Sequence, residues 1–188
     1  SLYPHLIMQY NISPETLIPS KPVTGLVDKL LAGKASNPTE HCMTPNGAFF
    51  RKDKRGFLPE IMETMYNDRT KYKKLMLQAS QEYENTKDPK LLKDISKYNN
   101  IQMAKKISLN SAYGAIGNNY FRYYDLMIAS AITTSGQLSI RWIEKSLNIY
   151  LNKLLETDNE DYVIASDTDS VYITFDRLVD KLFGEGTE

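Results

Sequence analysis

The segment VIASDTDSVYITF, residues 163–175, narrows the possible folds of this chain more than any other stretch. Apolar, β-branched and aromatic residues flank a short polar centre, which reads as strand, turn and strand, with both strands buried. The centre sets Asp167 and Asp169 two residues apart. Side chains at i and i+2 of a strand share a face, so both carboxylates aim at one spot if the backbone stays extended through Thr168. Paired carboxylates repel each other and are costly to desolvate unless a cation or a proton lies between them. Mg²⁺ suits such a place, because it takes one or two carboxylates together with waters and phosphate oxygens. Asp, Thr and Ser are also ordinary turn residues, so a tight hairpin accounts for the same string. The local sequence supports both readings.

The charge distribution bears on the choice. The formal net charge is +0, which does not describe a simple nucleic-acid glove. Residues 67–106, however, hold ten basic against five acidic side chains, and residues 154–180 hold eight acidic side chains against Arg177 alone. A basic middle and an acidic end suit a phosphate-bearing ligand held between cations and a metal-loaded carboxylate site; solvated helix faces of opposite sign are the plainer explanation. The single cysteine, Cys42, excludes an internal disulfide. No apolar run approaches the ~20 residues that span a bilayer, so no membrane partner is expected. The sequence opens on Ser1 and already looks strand-like there, which suggests a piece of something longer.

Residues 1–12, SLYPHLIMQYNI, read as a short strand or turn. A loop-rich excursion follows, marked by Pro14, Pro19, Pro22, Gly33 and Pro38. TPNGAFFRKDKRGFLP reads as a β-hairpin with Phe49 and Phe50 on one arm, Phe57 and Leu58 on the other, and KDKRG as the turn. Pro59, with Glu60 and Glu63 behind it, opens a helix to about Glu84, with Ile61, Met65, Leu75 and Leu77 among polar residues. NTKDPK breaks the pattern, and a second helix runs from about Leu91 to Tyr113, ending at Gly114. The two form a helical hairpin. A third helix covers roughly 125–155, with Ile128, Ile132, Leu138, Trp142 and Leu147 as its apolar side.

Residues four apart on a helix share a face, so Arg69 and Lys73 project together, as do Lys106, Asn110 and Tyr113 at i, i+4 and i+7. Lys and Arg meet phosphates, and Tyr offers a ring to a base or sugar. Solvated helix faces explain each pair taken singly.

Three strings then carry a resemblance. KISLNSAYGAIGN has the K-x-x-x-N-S-x-Y-G pattern of motif B of family B DNA polymerases. SLYPHLI resembles the S-L-Y-P segment of motif A, and ASDTDS resembles the D-T-D-S core of motif C, in the family's order. The run NNYFRYYDLMIASAITTSGQLSIRWIE resembles the polymerases of large tailed phages of the myovirus type.

The resemblance implies an α+β fold: an antiparallel palm sheet with packed helices, interrupted by a helical-hairpin fingers subdomain. Residues 1–58 and 117–188 would be palm and 59–116 fingers. It implies template-directed DNA synthesis, with a primer 3′-hydroxyl attacking the α-phosphorus of a dNTP with the help of two Mg²⁺ ions, for which Mn²⁺ could substitute. Asp169 would bind the catalytic metals, with Asp167 beside it. Ser1 and the Leu2 backbone would lie along the triphosphate, and Tyr3 under the sugar, excluding a ribose 2′-hydroxyl. Arg69, Lys73, Lys106 and Asn110 would grip the phosphates, and Tyr113 and Gly114 would press on the nascent base pair. Primer-template DNA, dNTP, the remainder of a polymerase, a sliding clamp and other replisome proteins are the partners implied. The cytoplasm of an infected, bacterial host is the implied location.

Two departures stand out. Ala165 and Ser166 replace the family's usual Tyr-Gly before D-T-D, adding a Cβ where Gly allows close approach. The motif A Asp, three residues ahead of the S-L-Y-P Ser, would precede Ser1. With neither that Asp nor an exonuclease or thumb region in the sequence, the isolated chain is expected to be inactive. Two other readings compete. One is a non-catalytic DNA-binding half of a split polymerase. The other is a haloacid dehalogenase-type phosphatase, whose nucleophile motif VIASDTDSV fits tolerably, although only 19 residues follow Asp169.

Overall fold

A computed structural model describes residues 2–35 and 40–184. The elements in order are α1 (Leu2–Tyr10), β1 (Leu17–Ile18), α2 (Leu26–Leu31), β2 (Cys42–Met43), β3 (Phe49–Phe50), α3 (Phe57–Thr86), α4 (Pro89–Ile116), α5 (Leu126–Leu155), β4 (Val163–Asp167), β5 (Ser170–Ile173) and α6 (Asp176–Phe183). The fold is α+β, with long helices packed beside small antiparallel sheets.

From Leu2 to Tyr10 the chain is helical rather than extended. Pro4 falls in the first turn of α1, where a missing N–H costs nothing, because those donors have no intrahelical partner anyway. Pro4, Leu6 and Ile7 are buried, and burial of the last two outweighs any local strand preference. α5 passes close by at Gly136, where a Cβ would stand 3.5 Å from both Leu2 Cδ2 and Tyr3 Cε1.

The expected hairpin of Phe49–Phe50 with Phe57–Leu58 does not form. β3 is instead the middle strand of a sheet ordered β1-β3-β2, with Phe50 opposite both Leu17 and Cys42. The turn is TPNG, residues 44–47: Gly47 takes φ 84°, and its N–H donates to the Thr44 carbonyl at 2.9 Å. Gly permits that conformation without penalty, whereas KDKRG offers Gly56 only at its end. Phe57 and Leu58 open α3.

The N-terminus of α3 is capped from a distance. Gly56 has no side chain to cap with, and its N–H donates to Asn11 Oδ1 at 2.9 Å. The Phe57 N–H donates to Glu15 Oε1 at 2.5 Å and the Leu58 N–H to Ser13 Oγ at 3.4 Å. At the far end Lys87 adopts φ 55°, Asp88 accepts from the Lys90 N–H at 2.9 Å, and Pro89 starts α4. This two-residue link makes α3 and α4 an antiparallel pair.

α4 continues through Gly114 to Ile116 and is capped by Gly117. A helical Gly costs about 1 kcal/mol, and burying Ile116 in the core offsets it. That core joins Ile7, Ile12, Phe50, Met62, Leu109, Ile116, Ile128 and Ile132 from both sides of the hairpin's base. On α3 the buried side is Leu58, Met62 and Ala79, while Ile61 and Leu77 are exposed. Ile128 and Ile132 of α5 face the core as expected, but Trp142 is 61% exposed. β4 and β5 pair antiparallel, yet they are not buried: Ile164 is 71% and Tyr172 60% exposed.

Candidate active site

The turn between β4 and β5 is two residues long, Thr168–Asp169, with Asp167 paired to Ser170 across it. Thr168 sits at φ 48°, so the backbone is not extended between the aspartates. Asp167 ends β4 and Asp169 lies in the turn, so the two carboxylates do not share one strand face. This corrects the extended geometry expected from the i, i+2 spacing. Asp167 Oδ1 accepts from the Thr168 hydroxyl at 2.9 Å, and both aspartates are exposed.

The turn forms one wall of a cavity of about 670 Å³. Leu2 and Tyr3 of α1 line it, with Arg69 of α3, Lys106, Asn110 and Tyr113 of α4, and residues 167–170 of the turn. Side chains distant in sequence thus meet because α1, α3 and α4 converge on the core. The cations stand on the helical wall and the carboxylates on the turn.

Aromatic rings make the floor: the Tyr3 and Tyr113 centroids are 4.7 Å apart at 53°. Burial pushes the Tyr3 phenol above its ordinary pKa, and the neighbouring Tyr113 hydroxyl and Asp169 carboxylate add to the shift. Arg69 Nε is buried and has no hydrogen-bond partner among the described residues. An unmet, buried guanidinium N–H is costly in the absence of an acceptor. Lys106 has no ion-pair partner among the described residues, whereas its neighbour Lys105 binds Asp68 at 2.8 Å.

Of the candidate residues named from the sequence, Leu2, Tyr3, Arg69, Lys106, Asn110, Tyr113, Asp167 and Asp169 all line this cavity. Lys73 does not; it is exposed one turn further along α3. Gly114 does not line it either, and a Cβ there would meet nothing within 4 Å. Ser1 lies outside the described residues. Thr168 and Ser170 also line the cavity; they were not named as site residues, although they stand inside the D-T-D-S string itself.

Among the described residues no group of three or more His, Cys, Asp or Glu side chains is placed to hold a metal ion. Two exposed carboxylates facing a cationic wall nevertheless fit Mg²⁺, which completes its shell with waters and phosphate oxygens.

Comparison with known proteins addresses the family directly. The sequence model of DNA polymerase family B matches residues 1–182. The DNA-directed DNA polymerase of Escherichia phage RB69 is 35% identical over 97% of this chain, and that of Enterobacteria phage T4 is 34% identical over the same share. The DNA polymerase delta catalytic subunit of Arabidopsis thaliana is 33% identical over 93% of this chain. The chain spans 25% of the length of each phage protein and 14% of the plant one. Among solved structures, the family B DNA polymerase from the hyperthermophilic archaeon Pyrobaculum calidifontis superposes with a TM-score of 0.58 at 23% identity, covering 98% of this chain and 21% of its own. That likeness supports the fold. The phosphatase reading of VIASDTDSV is thereby set aside, since the matching family embraces both strands of the hairpin and the helices that face it. The chain belongs to DNA polymerase family B.

Proposed function

We propose that this chain supplies the dNTP-binding and part of the catalytic surface of a DNA-directed DNA polymerase acting on primer-template DNA. Residues 1–58 and 117–188 serve as palm and 59–116 as fingers. The observation that carries this reading is the single cavity in which Arg69, Lys106 and Asn110 face Asp167 and Asp169 over the Tyr3–Tyr113 pair. A triphosphate matches the cationic wall: Arg69 offers an unmet buried N–H, Lys106 an unpaired ammonium, and Asn110 an amide donor. Lys73, four residues on from Arg69 in α3, adds a further cation for the triphosphate's outer oxygens. Tyr3 lies under the sugar and excludes a 2′-hydroxyl, and the Leu2 backbone runs along the phosphates. Tyr113 and Gly114 face the new base pair.

Asp167 and Asp169 would hold the divalent ions, Mg²⁺ or Mn²⁺. When bound, such ions activate the primer hydroxyl and neutralise the leaving pyrophosphate. The helical wall stabilises charge on the triphosphate independently of the ions. The remainder of a polymerase, a sliding clamp and the cytoplasm of an infected bacterial cell complete the setting, in keeping with the phage relatives.

Equilibrium binding of Mg²⁺·dATP to the purified chain tests the reading. Arg69→Ala and Lys106→Ala are each expected to weaken binding by about tenfold or more, as for loss of a charged hydrogen bond. Asp169→Asn is expected to remove the Mg²⁺ dependence. Unchanged affinity in the Arg69→Ala, Lys106→Ala double variant would rule the assignment out.

A further inference from the structure

Among the described residues, one ion pair joins the two arms of the helical hairpin: Lys105 Nζ donates to Asp68 Oδ2 at 2.8 Å. Its members are the chain neighbours of the cavity's two cations, Arg69 and Lys106. Successive residues stand about 100° apart around an α-helix, and neither Asp68 nor Lys105 lines the cavity. The pair therefore ties the arms together from the flank while the adjacent residues face the ligand space. The aromatic contact between the same two arms, Tyr72 of α3 with Tyr98 of α4, is loose, with ring centroids 6.2 Å apart. Sliding one arm by a single residue would shift it by about 1.5 Å and turn it by about 100°, enough to separate Arg69 from Lys106. The Lys105 hydrogen bond also holds the Asp68 carboxyl below its ordinary pKa range.

We infer that Asp68 and Lys105 are positioning residues, setting the register of α3 against α4 so that Arg69 and Lys106 converge on one phosphate-bearing ligand. The inference rests on the reading of the cavity as a triphosphate site. It makes a prediction opposite in sign to that of simple electrostatics. Asp68→Asn deletes a negative charge near an anion site, which by charge alone would tighten binding. Loss of register weakens it instead.

The test is calorimetric titration of Mg²⁺·dATP into the purified chain and its variants, with circular dichroism to verify helix content. Asp68→Asn and Lys105→Gln are expected to weaken binding roughly three- to tenfold, and the charge-swapped Asp68→Lys, Lys105→Asp double variant to return it to within about twofold. Arg69→Ala serves as the control for the site. If Arg69→Ala weakens binding while Asp68→Asn leaves it unchanged or tightens it, the positioning role is overturned and the triphosphate site stands. Failure of the swapped variant to recover affinity also overturns it. If the unaltered chain binds no dATP, or Arg69→Ala has no effect, the reading of the cavity falls and the inference with it.

Discussion

Gly114 separates stability from function at the scale of one residue. It lies inside α4, and a methyl group there would meet nothing within 4 Å. Gly114→Ala therefore relieves the backbone entropy of a helical glycine and should stabilise the fold by about 0.5–1 kcal/mol in urea denaturation. If the nascent base pair rests on that open face, the same methyl group lowers affinity for primer-template with dNTP. A stabilised variant with undiminished ternary binding would argue against placing DNA there. Arg69 presents the converse case. Its guanidinium was recognisable in the sequence as a candidate phosphate donor, but only the packing shows that its Nε is buried and unmet among the described residues while Lys73, on the same helical face, stays in solvent.

At the scale of elements, the base of the hairpin depends on borrowed caps. Asn11 donates to the Arg51 and Lys54 carbonyls at 2.7 and 2.8 Å and accepts from the Gly56 N–H. Asn11→Ala leaves three backbone partners unmet, the buried Gly56 N–H among them, and should cost about 2 kcal/mol of unfolding free energy. Glu15 adds a pH-dependent contribution. Burial works to raise its pKa, but the Ser13 hydroxyl and the Phe57 N–H outweigh this, and the net shift is downward. A carboxylate depressed in the folded state stabilises above its unfolded pKa, near 4.3, and that contribution is lost as pH falls through the folded value. Glu15→Gln should accordingly be less stable than the parent at pH 7, with the gap closing as pH drops below about 4. A gap that is constant with pH, followed by chemical denaturation, would show that the Glu15 charge contributes nothing. This cap also explains why α3 starts two residues before Pro59: the partners that let it do so lie more than 40 residues upstream.

At the scale of the whole molecule, a basic hairpin opposes an acidic turn within a chain of zero net charge. DNA binding by the purified chain should weaken steeply with salt, because each phosphate contact releases counterions, and added dNTP should tighten it. Salt-sensitive binding without tightening by dNTP would favour a non-catalytic half of a split polymerase. Purified residues 1–188 are expected not to extend a primer, because both carboxylates lining the cavity come from the one β4–β5 hairpin and none from a second segment. Robust Mg²⁺-dependent incorporation by this chain alone would refute that expectation.

Much was legible from residues 59–173, where the sequence speaks through local rules. Helical periodicity, the NTKDPK break and the strand–turn–strand pattern each depend on neighbours within a few residues, and the observed α3, α4, α5, β4 and β5 follow them closely. The spacing of Lys106, Asn110 and Tyr113 likewise placed three side chains on one face before any packing was considered. The first 58 residues were read less well, because their structure is decided by distant partners. α1 is a helix because Leu6 and Ile7 find a core, and β3 is a central strand because Leu17 and Cys42 reach it from either side. The cavity has the same origin. Sequence alone determined where the cationic, amide and carboxylate side chains stand along the chain and on each helix face. Only the convergence of α1, α3, α4 and the β4–β5 turn decided that Tyr3, Arg69, Lys106 and Asp169 surround a common space, since that depends on burial between segments far apart in the chain.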